Sequence, residues 1–555
     1  THLAGGELRA ADGVRFRGES VLSGFGTVEA DVTLTSAVID ADEGQSIDIQ
    51  GDLSGCGVVI GQVSAETWSI QNPTGMVEIE TDLNVGARTA TIYSAGPAEI
   101  DGTIALAGGV INVPETGLGL GHGAYLIGFG TVGGPLHGMA GSVISASGGE
   151  LVLGGGPNAY FNTEGFLNVG SDSVTIQSAM VANLGSWTQL EGGTLNAPDG
   201  VALGPGEKLD GNGAVNARIF AAVGSDIEAD GPLTLGDANA LDGFRSDGLM
   251  HVGGHPVTLL DKNQAVLAAL TTLGDGGGGT LSTANGALLE NGKDLVGYGD
   301  VHGDFENQGY VLGEGLGLTF HDGVTGSGEF DGNVTFAGKY SPGDSPAVVS
   351  FGGNVTFLGS ATLEMEVAQA GGVDPLDPTY DSLAVVGDVH LGGALWLQWL
   401  PEADDPNSKF GGTYSILAWG GSREGVFDDV AGGLAAYLDT SVFADGIEYD
   451  DANSEIKVHL YDLLDGDADL DGEVARGDFH ALQVGFVSPD PDWLEGDFNF
   501  DGRVDFRDYL TWKAHVGDVV PGGGKIPEPS GLALLALGAL LGVLRRRRIR
   551  RGRPT

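Results

Sequence analysis

Bases are what this chain has least of. It holds 25 Lys and Arg against 76 Asp and Glu in 555 residues, a formal charge of −51. Seven of the 25 stand together at Arg545–Arg548, Arg550, Arg551 and Arg553, so residues 1–544 carry 18 bases against 76 acids, a net of −58. Such a surface repels a phosphate backbone, which excludes nucleic acid as a main partner and favours cations. The single cysteine, Cys56, excludes an intrachain disulfide. A lone thiol reads as a small buried residue, and an exported protein can lack disulfides, so cysteine usage leaves the compartment open. No G-x-x-x-x-G-K-[ST], H-E-x-x-H or G-x-S-x-G occurs, so phosphate-loop, zincin and serine-hydrolase chemistry have no anchor. The two G-x-G-x-x-G matches, Gly128–Gly133 and Gly274–Gly279, are what this glycine content produces by chance. The eleven histidines are scattered; His251 and His255 read as turn residues. Acids are too many to single out a glycosidase pair, and a polysaccharide lyase needs a base beside the substrate acid, where bases are scarce. The chain opens on Thr1 without a charged and then apolar leader, which fits either a removed signal peptide or a fragment.

What is abundant is glycine, 99 of 555 residues, about 18% against a usual ~7%. There is no collagen period, so the glycine serves turns. With 41% apolar residues the chain has core material and need not be disordered. Up to about residue 335, runs of three to six residues rich in Val, Ile, Leu and Thr alternate with Gly, Asp, Asn and Ser, as at Val32–Leu34, Ile47–Ile49, Leu151–Leu153 and Ser173–Ile176. These suit short strands. One stretch, Asn263–Leu273, has helical spacing at Val266, Leu267, Leu270 and Leu273 and is expected as a helical insertion. An apolar residue followed two places on by G-x-G recurs at Leu22, Leu126, Leu209, Leu295 and Val324, with offsets of 104, 83, 86 and 29. Short strands joined by glycine turns cannot each bury a face alone, whereas stacked coils bury a continuous column. The expected fold is therefore mainly β: a β-solenoid (β-helix) over 1–335, with a β-sandwich as the alternative. A β-rich cap with longer strands follows over 336–462. Its Trp396, Trp399, Tyr414 and Trp419 would close the open end or fill its core.

The stretch Gly323–Pro346, with S-P-G-x-S-P at Ser341–Pro346, resembles the autotransporter-associated β-helix repeat. Tyr380–Leu397 is similar to the β-rich unit that closes such passengers, and the likeness spans residues 290–460. It implies a surface-exposed solenoid, although no outer-membrane barrel accompanies it.

The sharpest local pattern is a duplicated acidic loop, residues 467–478 and 497–508, in register at an offset of 30. Calcium takes six to eight oxygen ligands, and an EF-type loop supplies them from positions 1, 3, 5, 7 and 12. Asp467, Asp469, Asp471 and Asp478 fill the side-chain positions of the first loop, with the Glu473 carbonyl at 7. Asp497, Asn499, Asp501 and Asp508 fill those of the second, with the Arg503 carbonyl at 7. Gly472 and Gly502 stand at position 6, where the loop turns sharply, and Val474 and Val504 at position 8 are expected to pair the loops. Ala475 at position 9 offers no side-chain oxygen, and water can substitute. Phe479, Leu482 and Phe486 then mirror Tyr509, Trp512 and Val516 on two short helices and are expected to form a common core. No matching helix precedes either loop, and position 12 is Asp. In these features Asp465–Gly517 resembles the type I dockerin. The resemblance implies a small all-α calcium-binding module over 463–520, folded by Ca2+, and a cohesin-like partner recognised around positions 10 and 11. Those positions here are Arg476, Gly477, Phe506 and Arg507, where the usual pair is Ser-Thr.

Beyond Gly517 the sequence VVPGGGKIPEP reads as a linker. Ile526-Pro527-Glu528-Pro529, the apolar run Gly531–Leu544 and the arginine cluster follow. Fourteen residues span about 21 Å as a helix, a marginal crossing of a ~30 Å hydrocarbon core with a positive stop. This three-part tail over 521–555 resembles the PEP-CTERM sorting signal, which implies a C-terminal hydrophobic helix, a membrane exosortase as processing partner, and export to the cell surface or extracellular matrix. Two functions are compatible with the whole. One is a non-catalytic, calcium-binding surface protein with a structural or adhesive role, with a surface polysaccharide as partner. The other is a dockerin-bearing enzyme or accessory factor in polysaccharide breakdown.

Overall fold

The computed structural model describes residues 1–519, apart from 43–44, 61, 73–76, 80–82, 95–96, 114, 157–158, 275–276, 344–345, 368–378, 401–409, 442 and 490. The side chains of 52, 55–60, 62–72, 77–79 and 93–94, Cys56 among them, are also outside the description. Two compact units divide at Gly303 and Asp304.

The first unit is a β-solenoid of parallel strands. Thr103–Asn112 lies on Tyr125–Gly133, and Tyr125–Gly133 on Val143–Gly154, each pairing in parallel. Register places one residue of each coil in a single buried column: Ile104, Leu126, Ile144, Leu167, Thr188, Leu209, Ile227, Met250, Thr271 and Leu295. None of the ten is more than 2% exposed. Thr188, polar in an apolar column, donates its Oγ1–H to the Leu184 carbonyl at 3.1 Å. Parallel pairing of coil on coil excludes the β-sandwich.

The column gives the true repeat. Successive members lie 18 to 24 residues apart, as from Leu126 to Ile144 and from Thr271 to Leu295. From Leu126 to Leu209, and again from Leu209 to Leu295, the chain makes four such steps. The G-x-G signature therefore marks every fourth coil of this stretch, with offsets of 83 and 86, whereas Val324 stands in another column, on Phe305. The glycines sit where a strand bends across the coil before it. At Gly211, φ is +114° and a Cβ would fall 1.9 Å from the Leu190 carbonyl oxygen. The strand register slips at this same corner, between Gly211 and Gly213. Bent in this way, several short apolar runs fuse into one strand as long as the 17 residues of Trp187–Leu203.

Residues 263–273 correct the helical expectation. They form the strands Ala265–Leu267 and Thr271–Leu273, parallel to their neighbours. Ala265, Leu267, Ala268 and Leu273 are buried while Val266 faces outward. A period of two interrupted by a corner imitates helical spacing.

In the second unit parallel stacking continues from Tyr310–Phe320 to Glu329–Phe336, and on to Val348–Phe351 and Asn354–Phe357. The core here is aromatic. Phe320, Phe330, Phe336, Tyr340, Phe351 and Phe357 are buried, with ring centroids 4.4 Å apart for Phe336–Tyr340 and 5.0 Å for the stacked Phe330–Phe351. The S-P-G-x-S-P element lies partly outside the described residues. Among the described residues, strands within 336–462 are not the longer ones expected: the longest, Gly412–Trp419, has 8 residues. It is here that the parallel stack ends, because Glu455–Leu460 pairs antiparallel with both Gly412–Trp419 and Ile447–Asp450. Tyr414 and Trp419 are buried in this closing sheet, whereas Trp396 is 41% exposed. Two short helices complete the unit, α1 (Arg476–Gly485) and α2 (Phe506–His515).

The corner geometry predicts that Gly211→Ala is far more harmful than Gly206→Ala. Both residues have positive φ, but a Cβ at Gly206 meets nothing within 4 Å. Urea unfolding should separate the two variants by about 2 kcal/mol or more. Equal losses would remove the carbonyl contact as the reason for glycine at this corner.

Candidate metal centre

Each acidic loop is shaped by its own carboxylates. At position 1, Asp467 Oδ2 accepts the Gly472 N–H at 3.0 Å, and Asp497 Oδ2 accepts the Gly502 N–H at 2.8 Å. At position 5, Asp471 accepts the Glu473 N–H at 2.9 Å and Asp501 the Arg503 N–H at 3.1 Å. Asn499 accepts the Asp501 N–H at 3.0 Å. Position 6 turns through left-handed glycines, Gly472 at φ +84° and Gly502 at +76°. Position 4 is left-handed as well and carries no glycine: Leu470 has φ 56° and Phe500 has φ 51°. Bulky residues rarely adopt this conformation, so the loops hold local strain.

Position 12 ties each loop to the helix after it. Asp478 Oδ1 accepts the N–H of Ala468 at 2.7 Å and of Asp469 at 3.1 Å, while its Oδ2 accepts that of Ala475 at 2.7 Å. Asp508 accepts the N–H of Phe498 at 3.0 Å and of Asp505 at 2.8 Å. Both carboxylates are fully buried. Position 9 differs as the sequence indicates. Asp505 caps α2 by accepting the Arg507 N–H at 2.6 Å, a bond that Ala475 cannot make for α1.

In the first loop the carboxylate oxygens of Asp467, Asp469 and Asp471 lie within 4.8 Å of one another. Asp467 is 1% exposed, and its Oδ1 has no hydrogen-bond partner. A buried carboxylate oxygen without a donor is costly. Burial pushes the Asp467 carboxyl up to about 6, and the negative charges of Asp478, Asp471 and Asp469 add to the rise. Asp469 moves the same way, by burial and then by Asp478 and Asp471. Burial also raises Asp497 and Asp508. The donor set, all oxygen with one orphaned buried atom on Asp467, fits a hard divalent cation such as Ca2+. The side chains of Glu473 and Arg503 are exposed, so only their carbonyls suit position 7.

Three details differ from the expected core. Val474 and Val504 are buried, but they do not pair with each other. Val474 exchanges hydrogen bonds with the segment after α2, donating to the Asp518 carbonyl at 3.0 Å and accepting from the Gly517 N–H at 2.9 Å. Glu473 bridges Val519 beside it, so the chain just past Gly517 belongs to the module rather than to a linker. Phe479 meets Trp512 at 4.6 Å and Tyr509 at 6.2 Å, and Leu482 is buried. Phe486 and Val516, one turn further on, are half exposed because their helices end there. The ring that fills the centre is Trp493, fully buried between the loops, whose Nε1–H donates to the Asp467 carbonyl at 2.6 Å. No periodicity singles it out.

The proton balance predicts opposite pH slopes with and without cation. Asp467 ionises near 3.8 when unfolded and at about 6 in the ion-free fold. Between those values the folded module keeps a proton that the unfolded chain has lost, so ion-free stability falls as pH rises through about 6 and then levels. A calcium ion held by Asp467 would compete with that proton, so calcium affinity should rise across the same window. Melting in chelator, followed through the tryptophan signal, and calcorimetric titration at several pH values check both slopes; parallel slopes would contradict the assignment of Asp467.

The PEP-CTERM protein-sorting motif matches residues 525–548, which lie beyond the described residues. It covers the Pro-Glu-Pro element, the apolar run and the first arginines that the sequence marks out. No curated protein and no solved structure matches the chain. Among the described residues no helix is long and apolar enough to cross a membrane, and the expected C-terminal helix lies outside them. The motif is a signal for export and sorting to the cell surface, of the kind that exosortase recognises.

Proposed function

We propose that this is a cell-surface or extracellular-matrix protein whose solenoid has a structural or adhesive role and whose terminal module is folded by calcium. The observation that carries the calcium reading is the buried, partnerless Oδ1 of Asp467, whose carboxylate gathers with those of Asp469 and Asp471. Asp467, Asp469, Asp471 and Asp478 would hold one ion with the Glu473 carbonyl. Asp497, Asn499, Asp501 and Asp508 would hold a second with the Arg503 carbonyl. Neutralising converging carboxylates is the ion's contribution, so its binding free energy becomes folding free energy of the module. A surface polysaccharide is the partner class that suits an anionic, repetitive exterior best, since it demands no basic site.

A second reading keeps the dockerin-like module as a docking element for a cohesin-like partner, within a system that degrades polysaccharide. It is favoured by one observation. Arg476, Gly477, Phe506 and Arg507 are all exposed, and Phe506 presents 65% of its surface.

Calorimetric titration of the full chain should give two calcium sites. Asp497→Ala should weaken one of them by roughly 100-fold, since it removes a charged ligand. A silent titration of the unmodified chain would end the calcium reading. Mass spectrometry of the native protein from fractionated cells should place it outside the cytoplasm without Arg545–Arg553. Recovery of the intact arginine tail on a cytoplasmic protein would contradict surface sorting.

A further inference from the structure

The acidic-loop module is fastened to the end of the solenoid in its own unit by an aromatic cluster. Phe500, the left-handed residue at position 4 of the second loop, places its ring 4.2 Å from Trp399 and 6.2 Å from Phe410. Trp399 and Phe410 meet at 5.3 Å, and Phe410 meets Tyr437 at 4.9 Å. Trp399 belongs to the solenoid strand Ala394–Trp399, and Phe410 stands just before the closing strand Gly412–Trp419. Phe410 and Tyr437 are buried. On the module side Trp493 lies 5.3 Å from Phe500, and burial together with the neighbouring Asp492 carboxylate raises the Tyr437 hydroxyl above its ordinary range.

Phe500 is flanked by Asn499 and Asp501, which both belong to the ligand set above. The ring and these two side chains are thus carried on one short stretch of backbone. The first loop has no such ring: its position 4 is Leu470. Position 4 is thus one of the places where the two loops differ.

We propose that the acidic-loop module is a cation-dependent lock on the C-terminal end of the solenoid: Trp493, hydrogen-bonded to the Asp467 carbonyl of the first loop, meets Phe500, and Phe500 is the positioning residue that transmits occupancy of the Asp467 cluster to Trp399, Phe410 and the closing strands. This rests on the calcium reading and goes beyond it, because a module on a free tether would bind calcium without any effect on the β-structure. The lock is lost when the carboxylates of Asp467, Asp469 and Asp471 repel one another without a cation between them.

The test uses the full chain and calcium alone as probe. Binding is read by calorimetry and β-structure by the far-ultraviolet melting midpoint, each in calcium and in chelator. In the unmodified chain calcium should bind and raise the β midpoint. Phe500→Ala should still bind calcium, with the rise reduced or lost. Phe500→Leu, which keeps an apolar side chain without a ring, guards against a variant that fails to fold and should show the same reduced rise. Phe506→Ala removes an exposed ring of the same module and should leave the rise intact. An unmodified chain that binds calcium without a higher β midpoint would overturn the lock and leave the calcium reading standing, as would Phe500 variants with an undiminished rise. An unmodified chain that binds no calcium would overturn both.

Discussion

A coil of 18 to 24 residues has no second layer of its own; its apolar side chains are buried only because the next coil lies against it. That dependence governs the first unit. The column from Ile104 to Leu295 is dry because each rung sits directly on the last, about 4.8 Å away, with parallel backbone hydrogen bonds fixing the register. Register in turn needs corners that let a strand cross close above the preceding carbonyl, and the chain meets this with glycine. The high glycine content and the fold have the same cause.

A stack of parallel rungs is open at its ends, where unpaired backbone groups invite association with other chains. In the second unit the parallel order gives way to an antiparallel sheet at Gly412–Trp419 and Glu455–Leu460, with Tyr414 and Trp419 buried inside it. Against that sheet lies the acidic-loop module. The charge of −51 bears on this arrangement. Converging carboxylates destabilise a fold in the absence of cations, and the outside of a cell is where calcium is available to neutralise them. The proposed cation-dependent end would suit the cell surface to which the sorting signal directs the chain.

Much of this was legible in the sequence because it is local. Alternating apolar runs announce strands, and an acidic loop contained within twelve residues announces itself by spacing alone, as Asp467–Asp478 does. The sorting tail is likewise contiguous. What could not be read is what depends on distant residues. The coil repeat was hidden because the glycine pair marks only some corners. Residues 263–273 imitated a helix because a strand and a corner together approximate its spacing. The pairing of Val474 with Asp518, the central place of Trp493, and the contact between Trp399 and Phe500 all join residues whose partners lie far along the chain. Nothing in the neighbourhood of either partner encodes them.

Hydrogen exchange read by mass spectrometry along the full chain, in calcium and in chelator, is the most direct measurement. Removal of calcium should deprotect residues 463–519 together with the strands Gly412–Trp419 and Glu455–Leu460, while the strands between Thr103 and Leu295 keep their protection. Unchanged exchange in 463–519 on chelation would contradict a cation-held module, and deprotection confined to that module would contradict its hold on the solenoid end.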